Sequence, residues 1–195
     1  MERRSWREVV FAEISEPLSW ILGILSITVA LGGSQISNLY FYISPIFIGI
    51  IVGFVSHEYM HRYLSRKYHM VSRYTANVLG VLITLVSALL PIKLLMPGYV
   101  KTWALGPTSR KGILYSVAGG PITNIVIALA LFVASFAFSS TFYFNFLRTV
   151  GWVNAYISLF NLIPIPPLDG DKIIRLDIVL WAILFIISLA LVFII

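Results

Sequence analysis

Six apolar runs, at 18–33, 39–61, 76–98, 112–139, 149–168 and 176–195, take up most of this chain of 195 residues. A bilayer core about 30 Å thick is crossed by roughly 20 apolar residues on a helix. Backbone groups inside lipid must pair within their own segment, so runs of this length confine the fold to helices. Composition agrees, since 59% of residues are hydrophobic and 11% charged, which sets the chain apart from soluble globular proteins. The expectation is an all-α membrane protein, a helical bundle of five to six transmembrane segments in one integral-membrane domain over 1–195, with its core at about 39–171. No stretch between runs has room for a PDZ or other soluble domain.

The net charge of +6 does not point to nucleic acid, because the basic residues lie in short clusters between the runs and make no continuous face. Of fourteen Lys and Arg, three precede the first run, four lie in Arg62–Arg73, four in Lys93–Lys111, two at Lys172 and Arg175, and one is Arg148. Loops rich in Lys and Arg stay on the cytosolic side. The N-terminus, the segment after His61, the segment before Gly112 and the turn after Asp169 are therefore expected to be cytosolic, in a multi-pass protein surrounded by lipid. Met1 to Pro17 reads as a retained cytosolic helix leading into a signal-anchor span.

Chemistry enters at the end of the second run, in His57-Glu58-Tyr59-Met60-His61. Residues four apart share a helix face, so both imidazoles can reach one cation while Glu58, one position round, addresses a metal-held water. This is an HExxH zinc pattern, and Glu58 is the only acid between Glu16 and Asp169. The competing reading is a pair of helix-end histidines beside a glutamate at headgroup level. Ionisable residues within spans are costly and mark function, which favours the metal.

A catalytic zinc takes three protein ligands and leaves a fourth position for water. Cysteine is absent, so the third ligand is His69 or an acid. His69 falls in the basic stretch Arg66-Lys67-Tyr68-His69, where a solvated histidine is the simpler expectation. Asp169 is the better candidate, because it closes the fifth run behind Pro164, Pro166 and Pro167. Irregular backbone at that depth is tolerated where it is buried in protein or lines a wet cavity.

These residues resemble the site-2 protease family of intramembrane metalloproteases. His57, Glu58 and His61 fill its HExxH motif, and Asn161, Pro164, Pro167, Asp169 and Gly170 fill its N-x-x-P-x-x-P-x-D-G motif. Ala118-Gly119-Gly120-Pro121-Ile122-Thr123-Asn124 is similar to its A-G-P-x-x-N segment, and the likeness runs from about Ile51 to Asp171. It implies one zinc ion per chain on His57, His61 and Asp169, Glu58 as the base, and Asn161 near the metal to position substrate or the oxyanion. It further implies peptide-bond hydrolysis in or near transmembrane segments of protein substrates, in the cell membrane of a prokaryote, with the active site toward the cytosol. No soluble small-molecule substrate is expected. Gly119, Gly120 and Asn124 are read as helix-packing residues and not as catalytic ones. The alternative is an inactive metal-binding or helix-binding protein of the same fold, which has no need of Glu58.

One run cannot cross. If 76–98 spanned the bilayer, Asp169 would emerge on the face opposite His57 and His61, some 30 Å away. The run is therefore expected to enter and return on the cytosolic side, as a re-entrant helical or strand hairpin turning near Ser87 to Pro91, with Thr84 and Ser87 in its middle and Pro91 and Lys93 interrupting it.

Overall fold

The computed structural model describes residues 14–104 and 106–195, so most of the expected N-terminal cytosolic helix lies outside the described residues. The described residues form a mainly helical molecule. Helix α1 (Glu16–Gly32) opens with Pro17 in its first turn and closes at Gly33, whose φ of 53° lies in the left-handed region open to glycine. Two short 3₁₀ turns, Gly33–Ser37 and Leu39–Ile43, lead to α2 (Pro45–Lys67). Pro45 and the Ser44 hydroxyl, which accepts from the Phe47 amide at 3.3 Å, start that helix. Arg66 and Lys67 sit in its last turn, where cations suit the exposed carbonyls.

The chain then departs from an all-helical plan. Strands β1 (Met70–Ala76) and β2 (Gly98–Ala104) pair antiparallel, with Met70 opposite Ala104 and Ala76 opposite Gly98. The expectation of an all-α protein is corrected here by a two-stranded sheet. Hydropathy missed it because two seven-residue strands that carry Arg73 and Lys101 look like loop when only long apolar runs are sought.

The register brings the two ends of 77–97 side by side, so this segment leaves and returns on one side of the molecule. Its outward arm is α3 (Val78–Val86), capped by the Asn77 side chain, and a 3₁₀ turn at Ser87–Leu89 reverses it. The return arm is irregular and takes its hydrogen bonds from the polar residues of the first. Ser87 Oγ accepts from the Leu94 amide at 3.0 Å, and Thr84 Oγ1 accepts from the Met96 amide at 3.1 Å. Lys93 Nζ donates to the carbonyls of Ala88 and Leu90 at the turn, and Tyr156 Oη bonds both the amide and the carbonyl of Lys93.

Helices α4 (Arg110–Ser135), α5 (Thr141–Asn161), α6 (Asp169–Leu176) and α7 (Ile178–Ile194) complete the chain. Among the described residues, two helical stretches are long and apolar enough to cross a membrane, Glu16–Ser37 and Arg110–Ser135. Helices α2, α4 and α5 pack on one another at the centre. One buried cluster joins Ile27, Ile50, Phe54, Tyr74, Val153 and Ile157 from α1, α2, β1 and α5. A second, with Ala118, Ala128, Leu162, Ile173 and Leu184, ties α4 to the last two helices. The site described next lies where these two bodies meet.

Candidate metal centre

His57 and His61 share one face of α2, and their rings stand edge to face with centroids 4.6 Å apart. Asp169 reaches them from the first position of α6. Helix α5 ends at Asn161, ahead of Pro164, Pro166 and Pro167, so the chain turns back beneath it and α6 restarts beside α4. Gly170 makes that turn possible, because a Cβ there would meet the Leu162 carbonyl oxygen.

Asp169 Oδ2 lies 3.2 Å from His57 Nε2 and 2.9 Å from His61 Nε2. Donors held at about 2.0–2.2 Å by a tetrahedral zinc stand roughly 3.3–3.6 Å apart, so these three atoms need to move only slightly to share one ion. All three residues are buried, and they are the one cluster of this kind among the described residues. His69 is exposed at the turn after α2, with a φ of 59°, and takes no part.

The far nitrogens of both imidazoles are fixed by the protein. His61 Nδ1 lies 2.7 Å from the Ser116 carbonyl oxygen, which can only accept, so Nδ1 carries the proton. His57 Nδ1 lies 2.6 Å from Asn124 Oδ1. The Asn124 amide nitrogen is committed to the Gly53 carbonyl at 2.9 Å and to Asn154 Oδ1 at 3.0 Å, so its oxygen faces the ring and accepts. In the neutral ring with Nδ1 protonated, each Nε2 is the atom that can offer a lone pair to a metal shared with Asp169. Gly120 of α4 makes room for them, since a Cβ there would strike Nε2 of both His57 and His61. The donor set, the tautomers and this clearance all fit a zinc ion.

Asn124 and Gly120 were expected to serve helix packing. They do, but what they pack against is the pair of candidate ligands. The signal was present in the sequence, since an amide in the middle of an apolar run has to find buried partners. Ser116 gave no signal at all, because its contribution is a backbone carbonyl.

Glu58 lies one position from His57 and opens into a cavity of about 40 Å³ that His61, Asn161, Asp169 and Lys172 also line. Its Oε2 is buried without a hydrogen-bond partner among the described residues. A smaller cavity of about 10 Å³, roughly one water in size, touches His57, Glu58, Pro97, Gly98 and Asn161. Asn161 thus borders both spaces, while its amide nitrogen donates to the Ile157 carbonyl at 2.9 Å. Asp171 is paired with Arg175, and Asp177 caps α7 through the Leu180 amide.

No family model matches the chain, and no solved structure matches it. Three curated proteins do. "Putative zinc metalloprotease MJ0611" of Methanocaldococcus jannaschii is 30% identical over 183 residues, covering 93% of this chain and 90% of that protein. "Zinc metalloprotease MJ0392" of the same organism is 31% identical over 78% of this chain, which spans 39% of that longer relative. "Putative zinc metalloprotease YwhC" of Bacillus subtilis is 31% identical over 66% of each chain. The cluster of His57, His61 and Asp169 could hold one metal ion here. With near end-to-end similarity to the first of these and a donor set that suits the metal they are named for, the chain belongs to this family of zinc metalloproteases.

Proposed function

We propose that the protein is an intramembrane zinc metalloendopeptidase of the site-2 protease type, cutting peptide bonds in or near the membrane-spanning segments of its substrates. The observation that carries this reading is the meeting of three convergent donor atoms beside Glu58, which lines a small cavity with His61 and Asp169 and whose buried Oε2 has no hydrogen-bond partner among the described residues. Zinc on His57, His61 and Asp169 would supply Lewis acidity and lower the pKa of a water toward about 7. Glu58 then takes the proton of the attacking water and delivers one to the leaving amine. The Asn161 amide, at the border of both cavities, offers a neutral donor for charge developing on the scissile carbonyl.

The membrane setting rests on the apolar runs and on the loop charges. In this reading the N-terminus is cytosolic, the other apolar helices complete five to six spans, and the 77–97 segment re-enters without crossing. The metal cluster then lies toward the cytosolic face. Thr84, Ser87 and Lys93 supply the hydrogen bonds that such a hairpin must find within protein. Gly98, Tyr99, Val100 and Thr102 of β2 line the larger cavity, and an edge strand there can hold a locally unwound substrate in extended form.

The test is to incubate the purified full chain in detergent with a panel of single-span protein substrates, with and without a zinc chelator. Cleavage that the chelator stops and added zinc restores is the expected result. A zinc-loaded protein that cuts none of them, and whose Glu58→Gln variant behaves identically, is a metal-binding membrane protein and not a protease.

A further inference from the structure

We infer that Lys172 is a positioning residue for Asp169, selecting which carboxylate oxygen is presented to the metal. The two oxygens of Asp169 are in different company. Oδ2 faces both imidazole nitrogens, whereas Oδ1 accepts from Lys172 Nζ at 3.3 Å. Lys172 stands three residues on in α6, so one turn of helix brings its side chain over the carboxylate. The other basic residue of that helix, Arg175, is engaged with Asp171, and Lys172 is the one cation among the described residues lining the cavity that holds Glu58.

The consequence for the metal follows from coordination chemistry. A carboxylate with both oxygens free can take a cation through either atom or both. One whose Oδ1 is held by an ammonium offers Oδ2, in the direction the two histidines share. Groups that orient a ligand in this way are worth about 10–100-fold in metal affinity. The same ammonium also lowers the cost of burying a carboxylate beside Glu58.

This inference rests on the zinc-site reading above, and its test is separable from proteolysis. The zinc dissociation constant of the full chain in detergent is measured by competition with a chromogenic chelator for wild type, Lys172→Gln, Asp169→Ala and the double variant. Thermal unfolding checks that each is folded. If Lys172→Gln does not fold, Lys172→Met, which keeps the aliphatic stem, takes its place. Lys172→Gln is expected to weaken zinc binding by about 10–100-fold. In the Asp169→Ala background the same change has no further effect, because Lys172 acts through Asp169. Lys172→Arg, which keeps a cationic donor near Oδ1, restores affinity. Unchanged zinc affinity in Lys172→Gln overturns the inference, and so does an equal loss with and without Asp169. A raised KM with normal zinc affinity makes Lys172 a substrate contact and overturns it too. Wild type that binds zinc yet cuts nothing counts against the protease reading alone.

Discussion

At the scale of single residues, the proposed site separates the groups that could hold a metal from the one proposed to serve a water. Glu58 opens to the cavity but is not among the clustered donors. Replacing it with Gln is expected to cut turnover by at least the 10²–10⁴-fold typical of a placed general base, with zinc content by elemental analysis unchanged. Asp169→Ala should lose both zinc and activity, and His69→Ala neither. Metal loss in the second variant and not in the first would reassign the third ligand. Asn124 gives a subtler case. Its oxygen holds His57 Nδ1 while its nitrogen is tied to α2 and α5, so Asn124→Leu removes the orienting acceptor and strands Asn154 Oδ1 as well. A loss of zinc affinity of about 10–100-fold is expected, and an affinity within twofold of wild type would show that His57 is oriented by other means.

At the scale of elements, the 77–97 hairpin determines whether the two metal motifs can meet at all. Its ends are joined by the β1–β2 ladder, and its irregular arm is satisfied by Thr84, Ser87 and Tyr156. On the proposed topology, single cysteines at Val71 and Thr102, both exposed, label from the same side of oriented membranes, and one at exposed Ser140 labels from the other. Labelling of the first two from opposite sides would make 76–98 a full span and rule out the proposed arrangement. The absence of native cysteine leaves no background to this measurement.

At the scale of the whole molecule, the candidate ligands come from α2 and α6, are oriented from α4, and are braced from α5. A ligand that joins separate elements in the native state and finds no such site in the unfolded chain stabilises the fold by mass action. Free zinc at 100 times its dissociation constant should add about 2.7 kcal/mol. The expected readout is an unfolding temperature that climbs with zinc in wild type and stays flat in Asp169→Ala. A flat response in wild type would mean that these elements are held together without the metal.

The helical character and the pair on α2 were legible in the sequence because each is local, and Asp169 stood out as a candidate by elimination and by its place behind the prolines. Apolar runs report burial, four-residue spacing reports a shared helix face, and prolines report where α5 must end. Even the reversal of 76–98 could be read, since ligands at opposite ends of a bilayer cannot share an ion. What only the tertiary structure decided is everything that depends on neighbours distant in the chain. The two strands were hidden because a seven-residue pairing is specified by its partner and not by its own hydropathy. The Asn124 bond to His57, the clearance at Gly120 and the hold of Lys172 on one oxygen of Asp169 arise where packed helices meet. The tautomer of His61 is set by a backbone carbonyl, and every residue type carries one, so no sequence pattern announces it.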